Sequence, residues 1–185
     1  MKKILTMASL LALIAIPSWA GGVGVMFSAW DTSEAGDDNG GGVKIEFEVV
    51  SAIDFEIRAA WLGELDFVSQ GQDFRLEAVP VDVGLSYEFL KDQKVQPFLG
   101  GGFSFAFLNG IVGSDAAVRV DDEAGYYVVG GVESGFAERF TGFAEILYRG
   151  MKSEVRSDGF LNRDLEDVGV DLAGATFNIG VMLSW

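Results

Sequence analysis

From Ala175 to Trp185 the odd positions Ala175, Phe177, Ile179, Val181, Leu183 and Trp185 are apolar, while the even positions Thr176, Asn178, Gly180, Met182 and Ser184 are small, polar or flexible. Alternation with period two is the pattern of a β-strand whose faces meet two different environments. Seven earlier segments carry it too. They are about Gly22–Trp30, Val43–Val49, Phe55–Leu65, Arg75–Phe89, Val95–Phe107, Tyr126–Phe136 and Phe140–Gly150. In the fourth, Val79, Val81, Val83, Leu85, Tyr87 and Phe89 oppose Pro80, Asp82, Gly84, Ser86 and Glu88; in the fifth, Leu99, Gly101, Phe103, Phe105 and Phe107 oppose Gly100, Gly102, Ser104 and Ala106. The Gly130-Gly131 pair leaves the faces of the sixth undetermined.

Strands of about ten residues with one apolar face suit a bilayer crossed by a closed sheet, and single-chain bacterial barrels have even strand numbers. The predicted fold is therefore all-β: an eight-stranded antiparallel up-and-down transmembrane β-barrel. Connection lengths, a feature separate from the alternation, support it. Short links fall at Val50–Asp54, Leu90–Lys94 and Ala137–Arg139, and long ones at Asp31–Gly42, Asp66–Phe74, Leu108–Gly125 and Met151–Val170. Three short turns and four long loops place both termini at the short-turn end, the periplasmic side of such a barrel.

The segment from Asn178 to Trp185 resembles the C-terminal assembly signal of bacterial outer-membrane proteins, polar–x–Gly–x–x–apolar–x–aromatic, with Asn178, Gly180, Leu183 and Trp185 at the four signature positions. Pro80-Val-Asp-Val-Gly-Leu-Ser-Tyr-Glu-Phe89, Gln96-Pro-Phe-Leu-Gly-Gly-Gly-Phe103 and Phe143-Ala-Glu-Ile-Leu-Tyr-Arg149 look like strand segments of the OmpA/OmpX-type eight-stranded outer-membrane family, with Pro97-Phe98 where Pro-Tyr is frequent. The resemblance covers residues 21–185. It implies an outer-membrane location, a surround of lipid and lipopolysaccharide, and handling by the barrel-assembly machinery. It does not imply one function, because members include adhesins, structural proteins, small channels and lipid-modifying enzymes.

The N-terminus is read as an export signal. Lys2 and Lys3 precede an apolar run from Ile4 to Ile16, which Pro17 breaks, and Ser18 and Ala20 are small residues three and one before the expected cut. The run is too short for a helix spanning a bilayer, which needs about 20 residues. Residues 1–20 are thus expected to be a signal peptide and 21–185 the barrel domain.

Composition removes several classes. The chain has 13 basic and 28 acidic residues, a net charge of −15; without Lys2 and Lys3 the balance is 11 against 28, or −17. So acidic a protein does not suit nucleic acid, which needs clustered Lys and Arg. With no His and no Cys, Ser-His-Asp, Cys-His and His-metal chemistry are unavailable, as is any disulfide. The known lipid A acyl-modifying barrels depend on His. Neither Gly40-Gly41-Gly42, read as loop, nor Gly100-Gly101-Gly102, read as strand, is followed by the Lys-Ser/Thr of a phosphate loop. No catalytic residue, metal site or cofactor is assigned.

Parity turns Lys44, Glu46, Glu48, Glu56, Arg58, Asp82, Glu88, Glu145 and Arg149 to the interior, with Glu133. A basic residue at the lipid midplane costs about 2–4 kcal/mol, so these charges belong in the lumen. An eight-stranded barrel is just wide enough for side chains to fill, hence an interlocked interior rather than a pore. Arg58 with Asp82 on adjacent strands, and Arg149 with an unspecified acid, are the expected pairs. The long loops are acidic, with Asp37-Asp38 and Asp121-Asp122-Glu123 as possible divalent-cation ligands lacking EF-hand spacing. Three functions remain: a non-enzymatic envelope barrel with a loop partner, a small conduit for ions or solutes, and a soluble barrel around an apolar ligand.

Overall fold

The computed structural model describes residues 20–33, 37–69, 72–91, 93–112, 116–118, 123–155 and 168–185. Its strands are β1 (Gly21–Thr32), β2 (Asp37–Val50), β3 (Ile53–Leu62), β4 (Glu64–Ser69), β5 (Gln72–Glu88), β6 (Val95–Val112), β7 (Ala116–Val118), β8 (Glu123–Ala137), β9 (Phe140–Gly150), β10 (Lys152–Val155), β11 (Val168–Asp171) and β12 (Gly174–Ser184). All pairings are antiparallel. Eight strands form a ring in the order β5-β3-β2-β1-β12-β9-β8-β6, closed by β6 pairing with β5. Closure joins all eight ring strands edge to edge, which is the condition for a sheet to sit in lipid.

The terminal strand closes the ring. β12 pairs with β1 from Gly22↔Ser184 to Thr32↔Gly174 and with β9 from Gly174↔Arg149 to Leu183↔Phe140. Backbone bonds between Gly21 and Trp185 continue this seam, with Gly21 N–H to Trp185 O at 3.3 Å and Trp185 N–H to Gly21 O at 3.0 Å. Alternation holds as expected: Phe177, Ile179, Val181 and Leu183 are exposed, while Thr176, Asn178 and Met182 are buried. Around the ring Val25, Phe103, Val128 and Ile146 are likewise exposed, so the outer face is an apolar girdle. β8 resolves its undetermined faces, with Tyr127, Val129 and Glu133 inward and Tyr126, Val128 and Val132 outward.

Short turns join β2 to β3, β5 to β6 and β8 to β9 at one end. Ala52 and Leu90 adopt positive φ there, at 68° and 57°. At the other end the strands run on past the predicted boundaries. Gly40, Gly41 and Gly42, expected in a loop, lie within β2 and pair with Leu62, Trp61 and Ala60 of β3. Glycines have no side chain to show alternation, which hid this extension. A Cβ on Gly42 would lie 2.6 Å from both the Ala59 carbonyl and Met26 Cε, so close strand approach requires glycine here. The link between β1 and β2 shrinks accordingly to residues 33–36. The expected loops at Asp66–Phe74, Leu108–Gly125 and Met151–Val170 contain further pairing: β4 on β5, β7 on β6, and the separate β10–β11 hairpin. Residues 1–19, with Ser18 and the export signal, lie outside the described residues, as do Asp121 and Asp122.

Candidate functional site

Three cations organise the lumen. In ring order β2 lies four places from β8, and β3 four places from β9, so each pair is diametrically opposed. Lys44 on β2 reaches Glu133 on β8 at 2.6 Å, and contacts Glu46 at 3.2 Å and Glu56 at 3.5 Å. Arg58 on β3 crosses to Glu145 on β9 with two bonds, Nε to Oε1 at 2.7 Å and Nη2 to Oε2 at 3.1 Å, while Nη2 also donates to Glu56 at 2.6 Å. Arg149 on β9 grips Asp82 on β5 through Nε at 3.0 Å and Nη2 at 2.6 Å, and donates from Nη1 to the Thr176 hydroxyl. Two-pronged Arg–carboxylate contacts fix both partners in plane and register.

The inward charges predicted by parity are therefore brought together, with one pairing corrected. Arg58 and Asp82 are cross-strand neighbours in the β3–β5 ladder, but Arg58 bonds Glu145 and Glu56, and Asp82 belongs to Arg149. Adjacent register places Cβ atoms; it does not decide where a long guanidinium stem ends in a narrow lumen.

Neutral residues complete the shell. Ser86 Oγ donates to Glu56 at 2.8 Å, Ser104 Oγ to Asp82 at 2.6 Å, and the Asn178 amide to Glu145 at 2.8 Å. The Lys44 ammonium stands 4.9 Å from the ring centroids of both Phe98 and Phe143, Arg149 lies 5.1 Å from the Trp30 ring, and Arg58 5.7 Å from Tyr127. Each is within cation–π range. Glycines admit those rings: a Cβ on Gly131 would fall 2.6 Å from Phe98 Cζ, and one on Gly180 2.5 Å from Phe143 Cζ. Gly180 and Asn178, assigned to the terminal signal, thus also serve the lumen. Trp30, Phe98 and Phe143 share inward parity with the charges, whereas Tyr127 lies on the strand whose faces alternation left open; none was legible as a cation partner.

Towards the long-loop end the inward face turns apolar. Trp30, Leu62, Ala78, Ala106, Leu108, Met151 and Leu172 are buried in one cluster. Towards the short turns it turns acidic. A cavity of about 240 Å³ there is lined by Glu46, Glu48, Asp54, Glu88 and Glu133, with Lys91 at its edge. Lys91 sits 3.0 Å from Glu48 and 3.8 Å from Glu88; partial burial disfavours its charge, but Glu48 outweighs this and raises its pKa. Asp54 directly precedes the alternating segment that opens at Phe55, so alternation assigns it no face.

No protein-family model matches the chain, and no curated protein sequence does. Solved structures do. OprG of Pseudomonas aeruginosa is similar with a TM-score of 0.74 at 15% identity, over 90% of this chain and 97% of that one. The outer membrane protein W of E. coli gives 0.60 at 13%, over 90% and 98%. Ail of Yersinia pestis, in complex with the heparin analogue sucrose octasulfate, gives 0.59 at 12%, over 91% and 99%. This is the fold of the small outer-membrane β-barrels. The apolar girdle of this outer-membrane barrel is the surface such a fold turns to lipid, so the outer membrane is its location. Among the described residues no group of three or more carboxylates is arranged to hold a metal ion.

Proposed function

We propose that the protein is a non-enzymatic envelope barrel with a sealed lumen, whose long-loop end meets partners outside the cell. The observation that carries this is the pair of diametric ties, Lys44–Glu133 and Arg58–Glu145. Side chains bonded across the full width of an eight-stranded ring occupy the path a solute would take. The chain holds no His or Cys, which removes the commonest nucleophile–base and metal chemistries. Residues 1–20 act as a signal peptide cut after Ala20, and Asn178, Gly180, Leu183 and Trp185 are the segment recognised by the assembly machinery. Outer-membrane lipid and lipopolysaccharide surround the girdle.

A polyanion such as the heparin analogue held by Ail does not suit this barrel. Asp31 and Asp37 are exposed where β1 and β2 end, and the net charge is −15; like charge costs association. The loop partner is therefore neutral or cationic.

Planar-bilayer recording of the refolded full chain tests the sealed lumen. No stable single-channel steps are expected, and sustained, ion-selective currents would overturn the proposal. A second function, a small cation conduit, is favoured by the acidic cavity at the short-turn mouth. It requires that neutralising Glu145 and Asp82 alter permeation.

A further inference from the structure

The rungs of the β2–β3 ladder at the short-turn mouth set like charges opposite one another. Glu46 faces Glu56, and one rung nearer the mouth on the same face Glu48 is opposite Asp54. Like charges directly across a ladder are destabilising. The inner rung is compensated, because the Lys44 ammonium contacts both Glu46 and Glu56 and Arg58 bonds Glu56 as well. The outer rung is compensated unevenly, since Lys91 bonds Glu48 and acts on Asp54 only at longer range. Lys91 reaches Glu48, whereas the Asp54 carboxylate has no hydrogen bond or ion pair among the described residues, although the residue is only 7% exposed. A buried carboxylate is normally paired. Asp54 instead lines the cavity of about 240 Å³, together with Glu46, Glu48, Glu88 and Glu133. Five carboxylates in this chamber meet two ammonium groups, Lys91 and Lys44, so acidic groups outnumber basic ones there.

We propose that this vestibule is a binding site for a small organic polycation, a linear alkane diamine or polyamine, with Asp54 as its principal anchor. The chemistry of the walls selects the ligand class. A divalent metal ion needs six or more oxygens at about 2.0–2.6 Å, and no three carboxylates among the described residues are so arranged. An ammonium group needs less: one or two carboxylate acceptors, with no fixed polyhedron. The cavity holds roughly eight water volumes at about 30 Å³ each, which matches a chain of six to eight heavy atoms in order of magnitude. One ammonium would bond Asp54 and neutralise the outer rung; the second would reach Glu133, on β8 and not adjacent to β3 in the ring. The site faces the short-turn end and is independent of whether the lumen conducts.

The test is calorimetric titration of 1,5-diaminopentane into the refolded full chain in detergent micelles at low salt, with n-butylamine and MgCl2 as comparators. Saturable binding near one per barrel is expected, at least tenfold weaker for Asp54→Asn, at least tenfold weaker for the monoamine, and unchanged for Asp37→Asn at the opposite end. Heat-modifiable gel migration establishes that each variant is folded. Equal affinity in Asp54→Asn, or displacement of the diamine by an equal concentration of Mg2+, would reduce the effect to a counterion atmosphere and overturn the site. Should Asp54→Asn not fold, amide resonances of the unaltered protein decide. Shifts confined to residues 46–56, 88–96 and 133–135 on adding the diamine support the site, and shifts centred on Asp31 and Asp37 refute it.

Discussion

At the scale of single residues, the lumen depends on charges that cannot be removed one at a time. Deleting one partner of a buried ion pair leaves the other uncompensated, typically at about 3–5 kcal/mol, whereas replacing both with packed neutral groups is far less costly. Arg58 is held by Glu145 and Glu56 at 2.6–3.1 Å. Arg58→Leu should therefore destabilise the barrel by about 3–5 kcal/mol, and adding Glu145→Leu should recover part of that loss. Urea titration of the folded, heat-modifiable band checks both. A milder lesion is expected at Gly131, where a methyl group would collide with the Phe98 ring that covers Lys44. Overpacking costs about 1–3 kcal/mol, so Gly131→Ala should lower the urea midpoint while Gly135→Ala, whose added Cβ meets nothing within 4 Å, should not. Which residues face inward was legible because parity is a two-valued property. Which cation meets which acid was not, since Arg58 and Asp82 are neighbours in register yet bond elsewhere. Asp54 shows the other limit: β3 begins at Ile53, two residues before the alternating segment at Phe55, so alternation gave this acid no face.

At the scale of elements, β12 illustrates why the fold could be read at all. Its alternation runs through eleven residues and meets lipid on one face and the lumen on the other, so the pattern is undiluted by any third environment. The same logic fails for Gly40–Gly42, which carry no side chains, and for β4, β7 and the β10–β11 hairpin, which lie among the predicted long loops rather than the alternating strands. The lipid-facing assignment yields a direct measurement. Ile179 is half exposed on the outer face of β12 and pairs with Phe27 and Ala144. Ile179→Arg should cost about 2–4 kcal/mol in a bilayer, as a basic residue near the midplane does. Asn178→Ala, one residue away but inward, should act instead through Glu145, whose Oε1 it supports. Equilibrium urea unfolding in lipid vesicles separates them: the first penalty should shrink as the substituted site is moved toward a membrane interface, and the second should not.

At the scale of the molecule, the interior is graded: acidic at the short-turn mouth, cross-linked by ion pairs in the middle, and apolar towards the long loops. Grading matters because seals in series act independently, and permeation needs all of them open. In the proposed sealed lumen the ion-pair tier would block by occupancy. The apolar tier, where Trp30, Leu62, Leu108, Met151 and Leu172 cluster, would on that proposal block by packing and by excluding water, as hydrophobic constrictions do. Replacing both diametric ties with small neutral residues, as Lys44→Ser, Glu133→Ser, Arg58→Ser and Glu145→Ser together, removes charges in balanced pairs and so avoids stranding any of the four. Glu56 would lose both cations it touches, so Glu56→Gln belongs in the same variant. That five-fold variant should still show no single-channel steps in a planar bilayer, because the apolar tier remains. Adding Trp30→Ala and Leu108→Ala should then produce them. Conduction by the five-fold variant alone would mean that the apolar tier is not a seal, and silence of the seven-fold variant, if folded by gel migration, would place the barrier in what remains, the Arg149–Asp82 tie and the rest of the apolar cluster.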